Sequence, residues 1–208
     1  MKIAFIVDGQ TEYHCLINLL RSSGTPHQLI VPPFYCDMQP YASIKQISLR
    51  VSKKIKMIRN HKPDSVVIII DLENRECCPP QFAMELEQEI HGQLVCEVLK
   101  INVIIKVRKF ENWLIADLNG VGSLNQFNVS KSIKRSIEPN KADHVDAVKI
   151  FQQMSNGYFD KIGDGKRISN KVTPQNIARH SRSFRRCLRV IGVQHFQKQS
   201  KNPSKNYN

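Results

Sequence analysis

Residues 65–73, SVVIIIDLE, decide the fold. Val66, Val67, Ile68, Ile69 and Ile70 are β-branched without interruption. A run that short with no polar alternation reads as a strand covered on both faces, the kind found in parallel sheets. The run stops at Asp71, and Glu73 follows one residue later. Working outward, KIAFIV over residues 2–7 is a second such strand, and it stops in Asp8-Gly9-Gln10-Thr11-Glu12. Residues 28–31 form a third, closed by Pro32-Pro33, and residues 101–107 a fourth.

Helical spacing fills the gaps between these strands. Leu16, Leu19 and Leu20 mark one helix. Ile44, Ile47, Val51, Ile55 and Ile58 mark a long one over residues 43–60. An acidic helix is expected over residues 81–91. The alternation β-α-β-α-β-α-β predicts an α/β fold, a mostly parallel sheet with helices on both faces. Ligands of such sheets sit at the carboxyl ends of the strands. Asp8, Asp71 and Glu73 fall there. Glu111 and Asp117 follow the fourth strand closely, six residues apart and so on different faces of a regular helix.

The rest of the chain reads as helical and basic. Residues 120–142 are polar and weakly patterned, a linker or insertion. Residues 143–155 read as a helix, and Gly163-Asp164-Gly165 as a loop. Thr173-Pro174 is a helix start, with Thr as N-cap and Pro in the first turn. The expected organisation is an α/β core over residues 1–120, a basic helical extension packed on it over 121–192, and a disordered tail over 193–208.

Charge divides the chain in the same way. Residues 1–130 hold 14 Lys/Arg against 13 Asp/Glu, whereas residues 131–208 hold 17 against 5. The basic part can attract a polyanion, and nucleic acid is the expected partner. Within it Arg182, Arg185, Arg186 and Arg189 recur at i, i+3, i+4 and i+7, opposite Phe184, Cys187, Leu188 and Ile191. Arginine suits phosphate because its planar fork makes bidentate contacts. The alternative is a solvated face, or ion pairs to Glu85, Glu87 and Glu89. No large apolar face accompanies the charge, which argues against a membrane surface.

No apolar run approaches the ~20 residues of a membrane span. The N-terminal strand meets a charge at Asp8, too soon for a secretory leader, so a cytoplasmic protein is expected. Cys15, Cys36, Cys77, Cys78, Cys96 and Cys187 form no CxxC pair and lack zinc spacing, which fits reduced packing thiols.

Acids at two separate strand ends point to a divalent cation. Mg²⁺ prefers carboxylate oxygens and retains several waters. Bound there, it could activate a water and neutralise charge on a phosphoryl group. Taken singly, each acid also has an ordinary role as turn former or helix cap.

The stretches IVDGQTEYHCL, IIIDLENRECC, FENWLIAD and SRSFRRCL together resemble a family of small uncharacterised TOPRIM-like proteins, over about residues 1–192. That family is related to the nuclease domains of the overcoming-lysogenisation-defect class. The resemblance implies a TOPRIM-like sheet and Mg²⁺- or Mn²⁺-dependent phosphodiester hydrolysis, in a phage-defence setting beside an ATPase partner. Carried over by position, Asp8 stands for the catalytic glutamate, and Asp71 and Glu73 for a metal-binding D-x-D. Glu12, Glu111 and Asp117 match further family acids. Asp8 is one methylene shorter than the family residue and Glu73 one longer. The leading expectation is a metal-dependent nuclease: Asp8 or Glu12 assists proton transfer, while Asp8, Asp71 and Glu73 hold the metal. The rival is a non-catalytic subunit of the same fold that recognises nucleic acid or a partner ATPase.

Overall fold

The computed structural model describes residues 1–73, 75–94 and 99–197. The strands are β1 (Lys2–Val7), β2 (Gln28–Leu29), β3 (Phe34–Tyr35), β4 (Ser65–Asp71) and β5 (Lys100–Lys106). Every pairing is parallel, in the order β2-β1-β4-β5, with β3 beside the later half of β1. The strand expected over residues 28–31 is shortened to β2, and β3 is a further short strand that the sequence reading did not include. Pro32 and Pro33 lie between them and have no N–H to donate, so the ladder on β1 is interrupted and resumes at Phe34.

The helices are α1 (Gln10–Arg21), α2 (Ile44–Ile58), α3 (Pro79–Gln93), α4 (Glu111–Ile115), α5 (Leu118–Gly122), α6 (Lys131–Ile137), α7 (Ala147–Met154), α8 (Gly163–Ser169), α9 (Pro174–His180), α10 (Arg182–Val190) and α11 (Gln194–Gln197). They cover both faces of the sheet, and strand alternation sorts the core into two clusters. Ile3, Phe5, Val7, Val67, Ile69 and Ile104 face α1 and the helices that follow β5. Ala4, Ile6, Val66, Ile68, Ile70, Val103 and Ile105 face α2 and α3. Phe151, Ile168, Ile177, Phe184 and Leu188 belong to the first cluster, so the basic segment shares its core with the sheet.

Three local differences from the sequence reading have physical reasons. Gly163-Asp164-Gly165 opens α8 instead of a loop. A Cβ on Gly165 would meet Thr11 Cγ2 at 3.1 Å and Cys15 Sγ at 3.3 Å, so the glycine allows α8 to lie close on α1. The apolar stripe from Ile177 to Ile191 spans two helices, because Ser181 ends α9 and caps α10 by accepting a hydrogen bond from the Phe184 N–H. The chain also stays ordered past 193. Val193 and Phe196 are buried, and α11 reaches Gln197; the rest of the expected tail, 198–208, lies outside the described residues.

Cys15, Cys36 and Cys187 are buried free thiols, and burial pushes the Cys187 thiol up to about 12. Cys77 and Cys78 are exposed and free, while Cys96 lies outside the described residues. Among the described residues no helix is long and apolar enough to cross a membrane.

Candidate functional site

Three elements deliver carboxylates to one point at the carboxyl edge of the sheet. Asp8 follows the last residue of β1, Asp71 ends β4, and Glu12 lies in the first turn of α1. One ligand oxygen from each lies within 4.8 Å of the others. The tight strand-to-helix turn makes this convergence feasible. Gly9 is the N-cap of α1, and any Cβ there would collide with the Glu12 carboxylate. The Asp71 N–H donates to Asp8 Oδ2 at 3.2 Å, which ties the two strand ends together.

The fourth member of the cluster is Lys106, the last residue of β5. In the parallel register it is the direct neighbour of Asp71. It lies on the same face of β5 as Ile104, on the α1 side of the sheet. Its ammonium, buried at 1% exposure, pairs with Glu12, with Asp71 Oδ1 at 2.6 Å and with Asp8 Oδ1 at 3.9 Å. Lys106 was not among the residues expected from sequence. The signal was a lysine at the carboxyl end of β5, directly after the apolar run Val103–Ile105 and on the same parity as the core residue Ile104.

Electrostatics follow from that arrangement. Burial pushes Asp8 up to about 6, against the pull of Lys106 and with a further push from Glu12. Burial also raises Asp71 well above the ordinary carboxylate range, opposed by Lys106 and assisted by Glu12 and Asp8. Burial alone would lower Lys106, yet Asp71, Glu12 and Asp8 outweigh it and hold the ammonium charged. Three carboxylates against one ammonium leave a formal excess of two negative charges when all are ionised. Asp71 Oδ1 is taken up by the Lys106 ammonium at 2.6 Å, whereas Asp8 Oδ1 has no hydrogen-bond partner among the described residues and meets that ammonium only at 3.9 Å. A buried oxygen left unsatisfied beside surplus negative charge suits a cation.

Glu12 and Asp71 of the cluster line a cleft of about 470 Å³, whose walls include Glu73, Lys109, Glu111 and the segment Phe159–Ile162. A family model described as "Domain of unknown function (DUF4276)" matches residues 7–191. The chain belongs to the DUF4276 family. No curated protein and no solved structure matches it.

The remaining expected site residues of this DUF4276 domain separate into two groups. Glu73 and Glu111 line the cleft but stand outside the three-carboxylate group. Glu73 occupies a turn with φ 50° and pairs with Lys109 Nζ at 3.9 Å. Glu111 is buried beside the Thr11 hydroxyl, at 3.4 Å. Glu12 therefore completes the cluster where Glu73 was expected as a metal ligand.

Asp117 lies elsewhere. It caps α5 through the Gly120 N–H at 3.0 Å and accepts from the Thr173 N–H at 2.9 Å and from Asn176 Nδ2 at 3.2 Å. In FENWLIAD, Glu111 alone reaches the cleft. Asn112 donates to the carbonyls of Ala142 and Val145, and Trp113 is core, with its indole N–H donating to Ser183.

The arginine stripe is also altered. Arg182 and Arg186 are exposed and Arg189 is half-buried, but Arg185 is buried and donates to the Ala178 carbonyl. Arg185 thus braces α9 against α10 from within. α10 packs on β5, so its outward side carries Arg182, Arg186 and Arg189.

Proposed function

We propose that the protein hydrolyses phosphodiester bonds in nucleic acid with the help of a divalent cation, Mg²⁺ or Mn²⁺. The observation that carries this reading is the convergence of the Asp8, Glu12 and Asp71 carboxylates, with Asp8 Oδ1 left without a hydrogen bond and negative charge in excess. Asp8, Glu12 and Asp71 would hold the metal. Bound there, it would supply Lewis acidity toward a phosphoryl oxygen and a more acidic water. The protein's own groups do the rest. Lys106 fixes the three carboxylates in place and opposes the protonation of Asp8 and Asp71. Glu111 and Glu73 stand on the cleft wall within the same space, as acceptors for the proton of an attacking water. Lys109 and Lys161 line that cleft as partners for the phosphate backbone. The resemblance of the sequence motifs to small uncharacterised TOPRIM-like proteins supports the same chemistry.

One observation favours the rival, a non-catalytic subunit that binds nucleic acid or an ATPase. Lys106 already supplies a cation to the carboxylates, as a buried structural ion cluster would require. Incubation of the full chain with labelled single- and double-stranded DNA and RNA, in Mg²⁺, Mn²⁺ or chelator, separates the two. Metal-dependent cleavage that is lost in Asp71→Asn supports hydrolysis. Tight binding of nucleic acid without cleavage in either metal favours the subunit.

A further inference from the structure

The stretch from residue 38 to 63 holds seven Lys/Arg and no Asp or Glu. It contains α2, which buries Ile47, Val51 and Ile55 against the sheet. The side turned away from the sheet carries Lys45, Lys53 and Lys56, all exposed, with Leu49 and Met57 exposed among them. Arg50, on the flank, pairs with Asp37 at 3.4 Å. None of the three outward lysines has an ion pair among the described residues. The neighbouring helix α3 does not neutralise them, because its three glutamates are engaged elsewhere. Glu85 accepts from Gln81 at 2.7 Å, Glu87 from the Val103 N–H at 2.6 Å, and Glu89 from Gln93 at 3.4 Å. A row of like charges with no counter-charge raises the energy of the free surface, and a polyanion relieves it.

The row starts at the end of α2 nearest the carboxylate cluster. Gln39 and Pro40, shortly before α2, line a hollow of about 180 Å³ together with Asp8 and Asp71. Arg75 donates to the Gln39 carbonyl at 2.8 Å and to the Ala42 carbonyl at 2.7 Å, which ties the chain entering α2 to the loop after Glu73. Lys45 stands in the first turn of the helix. From Lys45 to Lys56 the helix rises about 16 Å, a length over which duplex nucleic acid carries about ten phosphate charges. Leu49 and Met57, two turns apart, offer too little apolar area to enter a bilayer. Continuity with the hollow favours a polyanion whose phosphates the cluster also meets.

We infer that the outward lysine row of α2 is a docking surface for the phosphate backbone of duplex nucleic acid, held beside the hollow that Asp8 and Asp71 line. The choice of polyanion rests on the phosphodiester reading of the adjacent site; the surface itself lies outside the cleft of that site. A lysine ammonium is a point charge on a flexible stem, so the row positions a backbone without reading bases. The shared chemistry is a phosphodiester chain, which DNA and RNA duplexes both present.

The test uses the full chain and fluorescein-labelled 20-base-pair duplexes of DNA and of RNA. Binding is titrated between about 50 and 200 mM salt in chelator, so that it is read without metal or cleavage. Each lost phosphate contact flattens the log–log salt slope on duplex DNA by about 0.9. Lys45→Gln with Lys53→Gln and Lys56→Gln should therefore flatten it by about 2.7, so that affinity falls roughly 40-fold less than the wild type's over that range. Thermal unfolding should not move, since the three side chains are exposed and glutamine is a comparable helix former. Arginine at the same three positions should bind like the wild type. Lys2→Gln with Lys62→Gln and Lys100→Gln removes the same charge at the amino edge of the sheet and should leave the slope nearly unchanged. The duplex with the larger α2-dependent change identifies DNA or RNA as the source. A wild-type slope in the α2 variant overturns the inference, and the row then fits an acidic protein. Equal flattening by the amino-edge variant also overturns it, because net charge alone would be at work. Cleavage is scored separately with Mn²⁺. Binding that depends on α2 without cleavage upholds the inference and removes hydrolysis. Cleavage with an unaltered slope in the α2 variant removes the inference and leaves hydrolysis standing.

Discussion

Asp143 and Asp71 are both acids enclosed by this fold, and their surroundings are opposite. Asp143 accepts from the Ser181 hydroxyl at 2.7 Å, the Ser183 hydroxyl at 2.8 Å, and the N–H groups of Arg182 and Ser183 at 2.7 and 3.1 Å. Its lone pairs are saturated at the start of α10. Asp117 is treated likewise by α5 and α9. Asp71 and Asp8 instead share one ammonium with Glu12, and Asp8 Oδ1 is left without a hydrogen bond. A carboxylate surrounded by donors stabilises the fold. A crowd of carboxylates with too few donors raises the free energy of the folded state, and such strain collects where chemistry is done. The helical extension uses its acids to join helices; the sheet edge holds its acids in reserve.

The largest effect expected from this contrast is on stability, at Asp143. Replacing it with alanine strands two N–H groups and two hydroxyls that are otherwise satisfied. Asp143→Ala should cost about 3–5 kcal/mol, read by urea or thermal unfolding, because each buried unsatisfied donor costs about 1–3 kcal/mol. A loss below 1 kcal/mol would erase the distinction between the two kinds of acid.

Next in size is pH dependence at the sheet edge. Asp8 is raised to about 6 from an ordinary 3.8, so the folded chain retains a proton that the unfolded chain releases between those values. The metal-free protein therefore gains stability from Asp8 at low pH and loses it as pH rises through about 6. Asp8→Asn should relieve the metal-free protein by about 1–3 kcal/mol at pH 7.5 and by much less at about pH 4. Protons also compete with a cation for the same oxygens, so Mn²⁺ affinity of the wild type should fall as pH drops below about 6. Equal relief at the two pH values would mean that Asp8 is already adequately solvated.

How much of this contrast the residue order reveals depends on the kind of interaction. The strands β1, β4 and β5 announce themselves, since a double-sided apolar run has few alternatives, and their carboxyl ends locate Asp8 and Asp71. Lys106 is hidden because it directly follows an apolar run, and its partners come into view only once Asp71 is set beside it in the register. Glu12 looks like a helix-start acid favoured by the dipole, and only the Gly9 turn brings it into the cluster. Glu73 looks like a ligand because D-x-E looks like a pair, but a left-handed turn carries it to Lys109. Arg185 fits a periodic stripe, yet α9 covers it. Periodicity reports the face of one element, and these residues are decided by what a second element places against that face.

The smallest effect expected concerns the remaining arginines. If Arg182, Arg186 and Arg189 meet a phosphate backbone, their joint replacement by glutamine should flatten the log–log salt dependence of binding by about 0.9 per lost contact on duplex DNA, or about 0.7 on a single strand. Base preference should not move, because phosphate contacts position without specifying. Arg185→Gln, by contrast, should lower the unfolding temperature, as its guanidinium braces α9 from inside.

Calorimetric titration of Mn²⁺ into wild type and Asp71→Asn, alongside thermal unfolding of both without metal, bears most directly on the central claim. The wild type should bind Mn²⁺. Asp71→Asn should lose at least about tenfold in affinity, in line with the 10–100-fold typical even of outer-shell changes, and should unfold at the same temperature or higher because one surplus charge is gone. Mn²⁺ binding of equal strength in the two proteins, or a variant that unfolds far below the wild type in the absence of metal, would place Asp71 with Asp143 among the acids that only hold the fold together.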